Sequence, residues 1–65
     1  MNIAGDIVEV VAGAKRGISA LTLARKVAKR QLVPLPAVKR EIRRALERGR
    51  VKLGAGLRLY SGENA

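Results

Sequence analysis

Two prolines near the middle of the chain decide how its helices are divided. Pro34 and Pro36, in the segment Leu32-Val33-Pro34-Leu35-Pro36, lack a backbone N–H, and each disfavours helical φ and ψ in the residue before it. Apolar residues recur at helical spacing on both sides of this segment. The sequence therefore predicts one helix that ends before the segment and another that begins at Pro36, where no intrahelical donor is needed.

Capping residues give the other helix boundaries. Asn2 is a suitable N-cap for a first helix, which the glycines from Gly13 onward would end. Ile18 is expected to form a short strand, and Ser19 to cap the second helix. Gly49 is expected to end the third helix. Helices 1, 2 and 3 are predicted at about residues 3–14, 20–31 and 36–48.

Each helix has one apolar side that is expected to face a shared core. This core must be aliphatic, because Tyr60 is the only aromatic residue. Leu23 is placed at the flank of helix 2, with Arg30 pointing away from the core, and Asp6 and Glu9 are expected at the surface of helix 1, where acids suit the helix dipole. The residues predicted to face inward are Ile3, Ile7, Val10, Val11, Ala14, Ala20, Leu21, Ala24, Val27, Ala28, Leu35, Val38, Ile42, Ala45 and Leu46.

A hairpin at about residues 50–60 is predicted after the third helix. Apolar and basic residues alternate on both sides of Gly54-Ala55-Gly56, a pattern typical of two strands joined by a three-residue turn. The predicted pairs are Leu53 with Leu57, Val51 with Leu59 and, on the other face, Lys52 with Arg58.

Composition excludes several classes of function. The chain has no cysteine and no histidine, which removes disulfides and the common zinc and iron ligand sets. Neither GxxxxGK[ST] nor GxGxxG occurs, so we expect no enzyme activity, cofactor, metal or small-molecule ligand. Asn2 and Asp6 stand where a signal peptide would be basic and apolar, and no apolar run is long enough for a bilayer. A cytoplasmic protein without a membrane partner is expected.

Positive charge dominates the composition. Fourteen Lys and Arg against five Asp and Glu give a formal net charge of +9. The basic residues are concentrated between positions 15 and 58, and mutual repulsion lowers the stability of a compact fold unless a polyanion lies close. The abundance of Lys and Arg, with few Asn and Gln, also favours a thermophilic source.

Helix 3 arranges part of this charge in a row. Arg40, Arg44 and Arg48 follow one another at intervals of four residues, and Arg43 lies beside them. Like charges at this spacing destabilise a helix, and an Arg43–Glu47 pair would offset only part of the effect. Arginine can bond O6 and N7 of guanine together, or clamp a phosphate. The row indicates a nucleic-acid contact, and a face that serves only solubility is the alternative.

Three groups of residues carry a family resemblance. They are the Ile18-Ser19-Ala20-Leu21-Thr22-Leu23-Ala24 entry to helix 2, then Val38, Ile42 and Leu46 in helix 3, and then Gly49, Val51 and Gly54-Ala55-Gly56 in the hairpin. In this order the chain resembles the winged helix-turn-helix superfamily of DNA-binding domains. The fold class is then mainly α with a small β-hairpin, and residues 1–65 are treated as a single domain.

The resemblance implies that helix 3 lies in the major groove of duplex DNA, while the hairpin, or wing, contacts the backbone or the minor groove. A small transcriptional regulator associated with the nucleoid is expected. It is also expected to be a homodimer, because one module of this size makes few base contacts. The predicted DNA-binding residues are Pro36, Ala37, Lys39, Arg40, Arg43, Arg44, Arg50, Lys52 and Arg58.

Two other functions keep the same fold. The basic face could contact RNA in a ribonucleoprotein, although RNA-loop readers stack bases on aromatic side chains and only Tyr60 is present. Alternatively, the domain could dock on an acidic protein surface, with Val8 and the apolar side of helix 1 as the contact.

Overall fold

The computed structural model describes residues 2–62, which form three helices and a three-stranded antiparallel sheet. The order of helix, strand, helix, helix, strand, strand, with mainly helical content, gives the winged helix-like fold that the sequence predicts. Within residues 2–62, none of the helices has both the length and the apolar character needed to cross a bilayer. The elements are α1 (Ile3–Gly13), β1 (Ile18–Ser19), α2 (Ala20–Gln31), α3 (Leu35–Glu47), β2 (Val51–Leu53) and β3 (Arg58–Ser61), with a 3-10 turn at Ala55–Leu57.

The first two helices begin at the predicted caps. The Asn2 side-chain oxygen accepts a hydrogen bond of 2.8 Å from the Gly5 N–H at the start of α1. The Ser19 hydroxyl accepts one of 3.2 Å from the Thr22 N–H at the start of α2. Each bond satisfies a backbone donor that the helix itself leaves unpaired, so these local signals fix both helix starts.

The third helix begins at Leu35, one residue before the predicted start. Pro34 precedes it with extended backbone, at φ −63° and ψ 145°. Pro36 therefore occupies the second helical position rather than the first. This shift is tolerated because none of the first four N–H groups of a helix has an intrahelical acceptor, so the missing donor of Pro36 costs nothing there.

Left-handed residues end α2 and α3. Gly49 follows α3 with φ +75°, and the next N–H, of Arg50, donates to the Ala45 carbonyl at 2.9 Å, which is a Schellman arrangement. Gly49 thus ends α3 as predicted. Leu32 ends α2 with φ +55°, a conformation that is unusual for leucine.

The core is aliphatic and receives residues from all three helices and from the sheet. One prediction for α2 is wrong: Leu23 is fully buried, whereas Leu21 is 46% exposed and Ala20 is also exposed. The helical spacing fits both faces, and packing of α2 between α1 and α3 selects the Leu23 side. The buried residues are Ile7, Val11, Leu23, Ala24, Val27, Val38, Ile42, Ala45, Val51 and Leu59.

A buried carboxylate joins α1 to α2. Asp6 is only 7% exposed, and its Oδ1 lies 2.9 Å from Nη2 of Arg30. Glu9 Oε1 lies 3.8 Å from the same nitrogen, at the surface. The predicted surface position of Asp6 is therefore wrong, because α1 packs against α2 with this carboxylate between them. Arg30 is exposed as predicted, and its guanidinium reaches across to α1.

The hairpin register differs from the predicted one by two residues. Lys52 lies opposite Tyr60, and Leu53 lies opposite Leu59. The loop is longer than Gly54-Ala55-Gly56, because Gly56 and Leu57 both have positive φ, at +70° and +58°. β3 lies between β2 and β1 in the sheet. All three predicted pairs are therefore wrong, and Leu53 and Leu57, which were predicted on the core side, are exposed.

Candidate nucleic-acid interface

The solvent side of α3 brings four of the nine predicted contact residues together. Pro36, Lys39, Arg40 and Arg43 are exposed and line one shallow groove of about 280 Å³. They share this surface because Val38, Ile42 and Ala45 face the core and so fix the rotation of the helix. The groove has three cationic side chains and no acidic one.

A second groove lies between α3 and the start of α2, with a volume of about 390 Å³. Its lining is mostly apolar, and Lys39 and Arg43 belong to both grooves. Leu21 lines it as well, although the sequence-based prediction placed Leu21 in the core. The only signal for its exposure is that Leu21 and Leu23 lie too far apart around α2 to be buried equally well.

Arg44 and Ala37 lie further around α3. Arg44 Nη1 is 3.4 Å from Oε2 of Glu41, one helical turn earlier. This pair takes the place of the predicted Arg43–Glu47 pair, for which no contact occurs within residues 2–62. Ala37 is half-buried, and its N–H donates to the Pro34 carbonyl at 3.1 Å.

The groove lined by Pro36, Lys39, Arg40 and Arg43, called the α3 groove below, stays positively charged after the ion pairs are taken into account. Within residues 2–62 they join Arg30 to the acids of α1 and Arg44 to Glu41. Lys39, Arg40 and Arg43 have no carboxylate partner in this part of the chain. Three unneutralised cations on one exposed surface are able to bind an anion without first breaking an internal ion pair.

The three predicted wing residues lie at different points along the hairpin. Lys52 is on β2, opposite Tyr60, while Arg58 lies opposite Ser19 of β1. The Arg58 guanidinium donates to the Gly17 carbonyl at 3.2 Å, which holds it near the start of α2. Arg50 is exposed in the connection between α3 and β2. Arg58 and Tyr60 are two residues apart on β3 and share a face, so Lys52 and Arg58 are diagonal neighbours on that face of the sheet.

Tyr60 lies on the sheet and covers two glycines. A Cβ atom at Gly17 would lie 2.7 Å from its Cζ, and one at Gly54 would lie 2.5 Å from its Cε2. The ring thus packs against the backbone of both glycines. It connects Gly54 in the hairpin with Gly17, which precedes β1. Tyr60 is the sole aromatic residue of the sequence, and no local pattern predicts this packing.

The exposed cations of α3 can attract an anion. In the described part of the chain, no group of three acidic side chains is placed to hold a metal ion. Searches against protein-family models, curated proteins and solved structures returned no match.

Proposed function

We propose that this chain is a duplex-DNA-binding protein of the winged helix-turn-helix type. It acts as a small transcriptional regulator in the cytoplasm, associated with the nucleoid, and binds as a homodimer. The observation that carries the proposal is the α3 groove, in which Lys39, Arg40 and Arg43 are exposed and without a carboxylate partner in residues 2–62.

Phosphate attraction supplies most of the binding. Each cation that neutralises a DNA phosphate releases a condensed counterion, so affinity depends steeply on salt. Lys39, Arg40 and Arg43 lie on one side of α3. The major groove of DNA is wide enough to admit an α-helix, so all three can reach the duplex together. Arg40 and Arg43 also have the donor geometry to read a guanine, so the same surface supports sequence preference.

The apolar groove beside α3 adds a different contact. Leu21 and Leu46 line it, next to Lys39 and Arg43. In the major groove the one apolar feature of the base edges is the thymine methyl group. Leu21, at the exposed start of α2, would contact such a methyl group or a sugar while the adjacent cations hold the phosphates.

An RNA-loop reader is less well supported. Such proteins stack unpaired bases on aromatic rings. Tyr60 is the only aromatic residue, and its ring is packed against Gly17 and Gly54. No second candidate function is favoured over duplex binding.

The test is a salt titration of binding to a labelled duplex of about 20 base pairs. Wild-type protein is expected to lose affinity steeply between about 50 and about 200 mM salt. Arg40→Ala with Arg43→Ala should lower the slope of the log–log plot by about two, one for each phosphate that is no longer neutralised. Lys15→Ala with Lys26→Ala is the charge-matched control, because both side chains line grooves beside α1 instead.

If the logarithm of the duplex affinity does not change with the logarithm of the salt concentration, the proposal is refuted. Equal losses of affinity in the two double variants would also refute it, since charge anywhere on the surface would then suffice. Tighter binding to structured RNA of equal length would favour the ribonucleoprotein alternative.

A further inference from the structure

The hairpin carries an apolar tip that the proposed phosphate contacts do not use. Residues 54–57 read Gly-Ala-Gly-Leu and have no polar side chain. The Gly54 N–H donates to the Arg58 carbonyl at 2.8 Å and closes the tip. Leu57 is 74% exposed and has φ +58°. Glycine or asparagine would adopt this backbone with less strain, so position 57 combines an unfavourable conformation with an unfavourable exposure.

Helix capping does not explain Leu57. Leu32 has nearly the same φ, +55°, but it follows α2, where a left-handed residue commonly ends a helix. At the hairpin tip Gly56 already supplies one left-handed residue, and the leucine side chain contributes nothing to the buried core. The side chain at position 57 therefore has no evident role within the fold.

The base of the tip is held rigidly. The Tyr60 ring packs directly on Gly54, where even a methyl group would clash at 2.5 Å. β3, which follows the tip, pairs with both β1 and β2. A side chain projecting from such a base is preorganised, so little flexibility is lost when it enters a binding partner.

The flanks of the tip are strongly cationic. Between Arg48 and Gly62 the chain carries Arg48, Arg50, Lys52 and Arg58 and no acidic residue. An apolar point on a basic hairpin matches a partner whose outside is anionic and whose inside is apolar. Stacked bases beneath the phosphates of a duplex meet this description. An anionic membrane does too, but a leucine side chain is much smaller than the myristoyl chain that by itself binds membranes only marginally.

We infer that Leu57 is an apolar wedge that enters the minor groove of duplex DNA and partly unstacks a base step. The inference rests on the proposed duplex binding, and it adds that the wing deforms the DNA. Flexible pyrimidine–purine steps are then the preferred targets, because they cost least to unstack.

The experiment uses an alternating A·T duplex that contains 2-aminopurine, whose fluorescence rises when it is unstacked. Wild-type protein should raise this fluorescence, and Leu57→Ala should not. Leu57→Ala should also bind about tenfold more weakly, the factor expected when a leucine side chain is no longer buried. Its salt slope should stay unchanged, because the phosphate contacts remain. Leu57→Met, which keeps an apolar side chain, should retain the signal.

Leu32→Ala is the matched control, since Leu32 is 90% exposed and shares the left-handed backbone. It should leave both affinity and fluorescence at the wild-type level. Steep salt dependence with equal fluorescence for wild type and Leu57→Ala would overturn the wedge and leave the proposed function standing. Absence of duplex binding at low salt would overturn both. Binding of phosphatidylglycerol vesicles that Leu57→Ala abolishes, without any effect on DNA unstacking, would assign the tip to membranes instead.

Discussion

At the scale of single residues, Tyr60 shows how a chain with one aromatic side chain uses it. The ring is absent from the core, which is built from Val, Leu, Ile and Ala. It lies against Gly17 and Gly54, two positions where a side chain would collide with it. Glycine is therefore required at these positions by the close approach of the ring. Gly17 also has φ +83°, which adds a second reason there.

This packing makes Gly17 sensitive to a single methyl group. We expect Gly17→Ala to lower the free energy of unfolding by about 2–3 kcal/mol, through backbone strain and the clash with Tyr60. Gly13→Ala is the control, because Gly13 is helical and nothing lies within 4 Å of its Cβ position. That change should raise stability by about 0.5 kcal/mol. Urea unfolding followed by circular dichroism measures both, and equal effects at the two sites would contradict the argument.

At the scale of elements, α3 is destabilised by repulsion between arginines on its surface. Arg40, Arg44 and Arg48 repel one another at successive turns, and within residues 2–62 only Arg44 has an acidic partner, Glu41. The core-facing side of the same helix has no such conflict, since Val38 and Ile42 are buried among aliphatic neighbours. The conflict lies on the solvent side of the helix, and of these three arginines only Arg40 lines the α3 groove.

Arg40→Glu separates stability from binding in this helix. A glutamate at position 40 stands four residues before Arg44, the favourable order for an ion pair, and it also removes a repulsion. We expect the free energy of unfolding to rise by about 0.5–1 kcal/mol. The same change should weaken duplex binding at least about tenfold, because it places an anion in the α3 groove. Chemical denaturation and the salt titration measure the two effects. Lower stability with unchanged binding would show that Arg40 serves the fold.

Helices proved predictable because their signals are local. Asn2, Ser19 and Gly49 each act within a few residues along the chain. Asn2 and Ser19 begin a helix, and Gly49 ends one, where the sequence indicates. Pro34 and Pro36 predict the break between α2 and α3, but they leave the first residue of α3 uncertain by one position. Either position in the first turn accommodates a proline, so sequence alone could not choose between them.

Features that depend on distant partners were not predictable in the same way. The burial of Asp6 depends on Arg30, which lies in another helix. The exposure of Leu21 depends on which side of α2 the other two helices cover. In the hairpin, Leu57 has a left-handed backbone that leucine rarely adopts, and the loop is longer as a result. The alternation of apolar and basic residues therefore could not predict that Lys52 lies opposite Tyr60. For the candidate site, the α3 residues were predictable from helical periodicity, and the wing pairing was not.

At the scale of the whole molecule, three acidic residues are paired with arginines within residues 2–62. Asp6 and Glu9 face Arg30, and Glu41 faces Arg44. A net charge of +9 is thus carried by a body that measures 30 × 20 × 17 Å. At about 0.01 M ionic strength the Debye length is about 30 Å, so every charge on this molecule interacts with every other. At about 1 M it falls to about 3 Å, and only charges in direct contact still interact.

Salt should therefore act on folding and on DNA binding with opposite signs. Screening weakens the repulsion among many distant exposed cations more than it weakens the Asp6–Arg30 pair, whose atoms are 2.9 Å apart and whose carboxylate is buried. We expect the free protein to gain about 1 kcal/mol between low and high salt, which raises the melting temperature by about 4–8 °C. Over the same range duplex binding should weaken steeply, because counterion release no longer favours it. Arg40→Glu should show a smaller rise, because it starts with less repulsion. Thermal scans of both proteins with and without duplex measure these effects, and a melting temperature that falls with salt in the free protein would mean that attraction, not repulsion, dominates its surface.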